Sequence, residues 1–438
     1  MNNTFNIAYV LPEFVTENDA GGLATYYDNV ARLFADAGSR VTIFVLSDAT
    51  ETIDYYPGIT VERVFVDLDN ADPAVPSSFM RFWSREMNRN VRTYIQSGNQ
   101  IDIVQYANYM ALGFERLEDT PTVIRISSFQ PYMRAASRLQ FDIHRDYNCE
   151  TLADYLEMLS VLKADTVYSP SCLLKSIFEN ETGRCVSVIE SPFYPRSIEG
   201  CINEYIELLD VTYIITFSTM NLLKGIKLIG DSINEVLRKN PNVFWVFAGV
   251  DVPWIDEEGS KIRPSEYIIG KAGVYSDRVK ILGKIPHEKL MGLLRNAAVC
   301  VMPSRIDNLP NTCIEAMALG KIVIGTKGAS FDQLIIDGEN GFLCERENKN
   351  ELISNIGKAL SLSPKQKKQM GLKAQNRINK MTPDLIRKEL TDLYKKTIDG
   401  FLRRPFYLEN KKYNIYKQKY NELLCRTDKT KSEGYILR

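Results

Sequence analysis

The chain has 438 residues, 45% of them apolar and 25% charged, enough apolar side chains for two domains with full cores. Its formal net charge of −1 gives no global field to attract nucleic acid, and no long apolar run suggests a membrane span. The eight cysteines are scattered, with no C-x-x-C and no metal-like pairing with the only two histidines, His144 and His287; Cys300, Cys313 and Cys344 fall in or beside apolar runs and read as reduced core residues.

The opening MNNTFNIAYVLPEF lacks a basic flank followed by a sustained apolar core, so it reads as a strand, Asn6 to Leu11, and the expected location is cytoplasmic. The loop after it ends at Gly21 and Gly22, before a helix carrying Leu23, Tyr26, Val30, Leu33 and Phe34. Such a strand, glycine turn and helix start can bring backbone N–H groups close to a phosphate or sugar, or can simply cap a tight turn. Val41 to Leu46, Val61 to Val66, Ile101 to Gln105 and Thr122 to Ile126 are further apolar runs, separated by helical segments such as Ser78 to Gln96. Strands alternating with helices predict a doubly wound parallel sheet. Arg125 reads either as a sheet-edge charge or as a contact for an acidic or phosphorylated acceptor. Glu150 to Lys163 is an amphipathic helix, and Val186 to Ile189 is the last strand before Pro192, Pro195 and Gly200 break periodicity and mark a linker.

Periodicity resumes with TYIITFSTMNLLKGIKLIGDSINEVL, a strand, a turn holding Lys224 and Gly225, and a helix. Val243 to Ala248 and Val279 to Leu282 are the next strands. Gly283 and Lys284 sit at the end of the latter, where ligands of open parallel sheets collect. His287 starts the following helix and is assigned a cap or first-turn role with no chemistry. Gly338 and Gly341 in IIDGENGFL are structural turn residues, and three helical segments run from Asn348 to Gly400. Beyond Phe401 the tail RRPFYLENKKYNIYKQKYNELLCR mixes basic residues with tyrosines, which fits a solvated terminal helix, an anionic membrane surface or a partner.

The most informative stretch is VCVMPSRIDNLPNTCIEAMALGKIVIGT, Val299 to Thr326. Two short apolar runs, Val299 to Met302 and Ile322 to Ile324, bracket a helix carrying Ile314, Met317 and Ala318 and stopped by Gly320. Pro310 suits the first turn because its missing N–H would lack a partner there. The helix N-terminus presents unpaired N–H groups and a partial positive charge, a setting for phosphate lined by Asn308, Leu309, Pro310, Asn311 and Thr312. Asp307 and Glu315, eight positions apart, are badly placed for phosphate but well placed to accept from sugar hydroxyls beside it; taken alone, such a pair reads equally as solvated acids of an ordinary surface loop.

SRIDNLPNTCIEAMALGKIVIG resembles the signature region of family 4 retaining glycosyltransferases (glycosyl transferases group 1), whose acids are spaced E-x7-E. GGLATYYDNVARLFADAGSRVTIF is similar to that family's first βαβ unit, and ADTVYSPSCLLKSIFE to the final βα unit of its N-terminal domain. The resemblance implies an α/β GT-B fold: two Rossmann-like, doubly wound parallel-sheet domains facing a central cleft. Its implied divisions are an acceptor domain over 1–195, a linker over 196–210, a donor-nucleotide domain over 211–382, and over 383–438 a helix returning to the first domain plus a basic tail.

By the same resemblance Glu315 holds the donor ribose, Asp307 contacts the transferred sugar, Lys224 neutralises the diphosphate, and Gly21 and Gly22 lie near diphosphate and acceptor. Three positions depart from the family pattern. The first acid is Asp instead of Glu, Ser127 stands where many members have a sugar-contacting histidine, and Thr219 falls near a usual arginine, for which Lys284 or Arg305 would compensate. The implied activity is retaining, metal-independent hexosyl transfer from a nucleotide-diphosphate sugar to a glycan or lipid-linked acceptor in surface polysaccharide or glycoconjugate synthesis, without a cofactor, in the cytoplasm or at the inner face of the membrane. A nucleotide-sugar epimerase of the same fold and a non-catalytic sugar-nucleotide-binding subunit remain alternatives. No G-x-G-x-x-G follows a strand, which argues against a dinucleotide oxidoreductase.

Overall fold

A computed structural model describes residues 4–17, 21–69, 76–141, 148–194, 210–401 and 406–434. His144 and the linker expected over 196–210, apart from Asp210, lie outside them. The chain divides into two compact units: Met1–Pro131, Asn148–Pro192 and Pro383–Arg438 form one, Tyr132–Tyr147 and Phe193–Thr382 the other.

In chain order the first unit contains β1 (Asn6–Leu11), α1 (Gly22–Ala35), β2 (Arg40–Ser47), β3 (Glu51–Tyr56), β4 (Ile59–Phe65), α2 (Pro76–Gln96), β5 (Ile103–Ala107) and β6 (Thr122–Arg125). The helix α3 (Gln130–Ala136) runs out of it, and α4 (Leu152–Lys163), β7 (Thr166–Ser169), α5 (Cys172–Thr182) and β8 (Ser187–Val188) complete the run. Its sheet has the order β3-β4-β2-β1-β5-β6-β7-β8, parallel except for the antiparallel β3–β4 edge. β1 and β5 read as continuous apolar runs because helices cover both faces of the sheet. Ile7, Tyr9 and Leu11 share one buried cluster with Tyr27, Phe34, Leu390 and Tyr394, the last two from the C-terminal part of the chain. β3 escapes a reading by pattern because its residues, ETIDYY, are exposed or half-exposed and show no buried run.

The second unit continues with β9 (Thr212–Phe217), α6 (Ile226–Lys239), β10 (Val243–Ala248), the short hairpin β11 (Trp254–Ile255) and β12 (Lys261–Ile262), α7 (Pro264–Ala272), β13 (Val279–Ile281) and α8 (His287–Asn296). There follow β14 (Val299–Val301), α9 (Asn311–Ala318), β15 (Val323–Thr326), β16 (Phe342–Cys344), α10 (Lys349–Ser361) and α11 (Pro364–Ile378). All six strands of the sheet β13-β10-β9-β14-β15-β16 are parallel. Alternate residues feed opposite cores: Ile214, Trp245, Phe247 and Val301 enter one, Tyr213, Ile215, Val246 and Cys300 the other. Cys300, Cys313 and Cys344 are buried and unbridged, and burial pushes the Cys300 and Cys344 thiols up to about 12.

The described residues 132–141 group with the second unit, although they lie within the 1–195 span expected of the first domain. They are tied there by Arg305, whose guanidinium donates to the carbonyls of Ala136, Arg138 and Leu139.

The chain returns to the first unit with α12 (Pro383–Asp399) and ends in α13 (Lys411–Gly434). Sequence periodicity makes α4 amphipathic, yet Asp154, Glu157 and Lys163 are buried with its apolar residues, because α13 lies across the outer side. The tail tyrosines supply the contact: Tyr407, Tyr413, Tyr416 and Tyr420 are buried, and Tyr407 and Tyr416 donate their hydroxyls to Glu118 (2.7 Å) and Glu181 (2.6 Å). They therefore form no outward aromatic stripe. No described helix is long and apolar enough to cross a membrane.

Candidate functional site

In the second sheet the strand order runs outward from β9 to β10 and β13 on one side, and from β14 to β15 and β16 on the other. The crevice where the order reverses, outside the carboxyl ends of β9 and β14, is where an open parallel sheet holds a ligand. The loop after β9 carries Thr219 and Lys224, and the loop after β14 carries Arg305 and Asp307. Gly225, at φ +74°, caps α6 so close to the second loop that a Cβ built on it would lie 1.9 Å from the Pro303 carbonyl oxygen. Arg305 N–H donates to Leu223 O at 2.8 Å and locks the approach. Lys224 Nζ consequently meets Asp307 Oδ2 at 2.6 Å, across 83 positions of sequence.

α9 begins directly after this loop. Its first intrahelical donor is Ile314, to Pro310 O, so the amides of Asn311, Thr312 and Cys313 precede the hydrogen-bonded ladder and form the helix's positive end. Asp307 Oδ1 accepts from Asn308 N–H at 3.2 Å. Leu309 and Pro310 are buried, whereas Asn311 is exposed and Asn308 and Thr312 half-exposed. Glu315 sits one turn further along and its Oε1 lies 3.0 Å from His287 Nε2. Pro286 occupies the cap of α8, so of the two roles expected of His287 the first-turn one holds. Gly283, at φ +66°, accepts from Gly249 N–H through its carbonyl; Lys284 and Thr219 are exposed.

Arg305 cannot take the compensating role expected of it. Only 2% exposed, it spends its guanidinium on Glu347 (2.7 Å) and on the three carbonyls of 136, 138 and 139. A buried cation without such partners would be costly, so these bonds are its function in the fold.

The remaining candidates belong to the first unit. Gly21 caps α1, but Glu13 already occupies the helix end: its Oε1 accepts from the amides of Gly21 (3.3 Å) and Ala24 (3.2 Å). Ser127, after β6, donates both its amide (2.7 Å) and its hydroxyl (3.0 Å) to Oδ1 of the buried Asn108. Asn108 opens the loop after β5, and there Met110 and Ala111 adopt left-handed φ values of 62° and 52°. Two consecutive non-glycine residues in that region are strained, and Glu157, accepting from Met110 N–H at 3.2 Å, helps hold them. Arg125 is buried and stacks on the Tyr26 ring, its Cζ 3.7 Å from the centroid. It is therefore not the sheet-edge charge expected of it, since β6 lies between β5 and β7. Sequence reasoning passed over Glu13 and Asn108 and gave His287 only a helix-start role; the signal available was that each lies in or just beyond a loop following a strand end. Among the described residues no three or more His, Cys, Asp or Glu side chains group so as to hold a metal ion.

Two doubly wound parallel sheets with candidate residues at the strand ends define a GT-B fold, and comparison with solved structures agrees. Sucrose-phosphate synthase from Thermosynechococcus elongatus matches with a TM-score of 0.68 at 17% identity, covering 90% of this chain and all of that one. The E. coli trehalose-6-phosphate structure bound with UDP-2-fluoro glucose matches with a TM-score of 0.66 at 14% identity over 89% of this chain and 99% of that one. By sequence, residues 206–377 match the family model described as glycosyl transferases group 1. An uncharacterized glycosyltransferase of Methanocaldococcus jannaschii is 32% identical over 78 residues, 18% of this chain and 22% of its own. The lipopolysaccharide 1,2-N-acetylglucosaminetransferase of Salmonella typhimurium is 23% identical over 216 residues, 47% of this chain and 55% of its own. The chain therefore spans about half or less of the length of these curated relatives.

Proposed function

We propose that this protein is a retaining glycosyltransferase of family 4 that moves a hexosyl group from a nucleotide-diphosphate sugar to a glycan or lipid-linked acceptor without a metal ion. The observation that carries the reading is the Lys224–Asp307 pair beside the α9 N-terminus, at the switch point of a sheet lying inside the segment that matches glycosyl transferases group 1. Names of the similar proteins support it: two are glycosyltransferases and one structure holds a uridine-diphosphate sugar. As the glycosidic bond breaks, positive charge develops on the sugar ring and negative charge on the departing diphosphate. Lys224 and the amides of 311–313 stabilise the phosphate side, and Asp307 lies where the transferred sugar would sit. Attack by the acceptor on the face the diphosphate leaves retains configuration.

A panel of UDP-, GDP-, ADP- and CDP-sugars, screened by thermal unfolding with EDTA present, should contain one that raises Tm. A ligand at a hundred times its Kd stabilises by about 2.7 kcal/mol. Stabilisation that appears only after magnesium or manganese is added would end the metal-free reading, and no stabilisation under any condition would end the donor reading. Binding without turnover across a broad acceptor panel would mark a sugar-nucleotide-binding subunit instead.

The two acids separate kinetically. Asp307→Asn should reduce kcat by roughly tenfold to a hundredfold with a smaller change in donor affinity, as expected for a charged hydrogen bond worth about 1.5–3 kcal/mol. Glu315→Gln removes a ribose contact present in ground and transition states alike and should appear as a raised donor KM. Asp307→Glu should be harmful although Glu is the family's usual residue, because the 2.6 Å contact with Lys224 is already made at the shorter reach. Turnover like wild type in Asp307→Asn would remove Asp307 from the chemistry.

A cytoplasmic protein acting on a lipid-linked acceptor would meet it at the membrane's inner face, and α13 turns Lys411, Lys412, Lys417, Lys419 and Arg426 outward. Reversing the charge of Lys412, Lys417 and Lys419 should lower partitioning onto phosphatidylserine vesicles by roughly tenfold or more at low salt while leaving donor binding intact. Unchanged partitioning would dismiss the membrane contact.

A further inference from the structure

We infer that His287 is a positioning residue for Glu315, holding its carboxylate in the orientation that receives the donor's ribose; the inference rests on the donor reading given above. The two side chains come from neighbouring helices, His287 from the first position of α8 and Glu315 from the second turn of α9. Leu293 and Leu294 of α8 and Cys313, Ile314 and Met317 of α9 are buried in one cluster on the same face of the sheet. That shared apolar seat fixes both helix starts, and with them the 3.0 Å between His287 Nε2 and Glu315 Oε1.

An ionised carboxylate only accepts, so the proton of this bond sits on Nε2 of the imidazole. One lone pair of Oε1 is then engaged while Oε2 remains for a hydroxyl pair. The side chains are 32% and 26% exposed, so the bond borders solvent and a ligand can reach it. A glutamate left free at a half-exposed helix position samples several rotamers, and ordering them on binding costs affinity. A carboxylate already oriented by a second group avoids that cost.

UDP, GDP, ADP and CDP are titrated calorimetrically into the wild-type protein, and the tightest of them serves as probe. His287→Leu should weaken it about threefold to tenfold. His287→Gln, whose Nε2 reaches nearly the same point, should return affinity to within about twofold of wild type. In the Glu315→Gln background, His287→Leu should add less than about a twofold further loss, since residues that act through each other are not additive. In donor hydrolysis the change should fall on KM more than on kcat. Equal affinity of His287→Leu and wild type would overturn the inference and leave the donor reading standing. So would a His287→Gln variant as weak as His287→Leu, or losses that add fully in the double variant. A wild-type protein that binds none of the four nucleotides would overturn the donor reading and the inference with it.

Discussion

Replacing Lys224 by methionine is expected to lower kcat/KM for the donor by about a hundredfold to a thousandfold, the loss usual when one preorganised donor to a developing negative charge is removed. Methionine keeps the length and apolar stem of the side chain, so the effect reads the charge. The 2.6 Å pair has two consequences for that loss, the first adding to it and the second offsetting part of it. Lys224 is the partner of Asp307, and without it a bare carboxylate faces the phosphates and repels them. The pair must also be loosened when a diphosphate competes for the ammonium, so part of the donor's binding energy is spent in displacing Asp307. The fold should hardly notice the substitution: the two side chains are 25% and 15% exposed, and ion pairs near solvent contribute about 0–1 kcal/mol. Kinetics and thermal unfolding on Lys224→Met, Asp307→Asn and the double variant would check this. Turnover within threefold of wild type in a folded Lys224→Met would remove Lys224 from the phosphate site.

Gly225→Ala should be among the most damaging single methyl additions in the second unit. The residue sits at φ +74°, where an L side chain costs about 1–3 kcal/mol, and the added carbon would lie 1.9 Å from Pro303 O and 2.7 Å from its carbonyl carbon. A backbone group cannot swing aside as a flexible side-chain tip does, so the two loops must separate. That motion breaks the Arg305 N–H to Leu223 O bond and draws Lys224 away from Asp307. The total should exceed about 3 kcal/mol, a fall in Tm of roughly 10 °C for a unit of this size, together with lost donor binding. Gly338→Ala is the matched control: its φ is +75° but nothing lies within 4 Å of the added carbon, so only the backbone strain remains and Tm should fall by a few degrees. Equal melting of the two variants would show that the close approach of the loops carries no energy.

Local sequence was sufficient wherever local burial left a mark. The strands at Asn6–Leu11, Val243–Ala248 and Val299–Val301 are apolar at every position but Asn6, because both faces of a parallel sheet are covered. Spacing put Asp307 before α9 and Glu315 within it, and glycine at 225 marked the turn beside Lys224. What no window of sequence contains is strand order. β9 and β14 are hydrogen-bonded neighbours although 85 positions separate the paired residues Ile215 and Cys300, and that adjacency alone makes Lys224 the partner of Asp307. The same holds for Arg305, two residues from Asp307 yet turned towards Glu347 and the carbonyls of 136–139, and for His287, brought to Glu315 by two helices sharing one face. The tail tyrosines, whose mixture with basic residues also fits a membrane or partner surface, are a packing face, because α4 had buried sites to offer them. Periodicity reports that a residue is buried; which partner buries it is decided by contacts between distant segments, brought together by the spatial order of the strands.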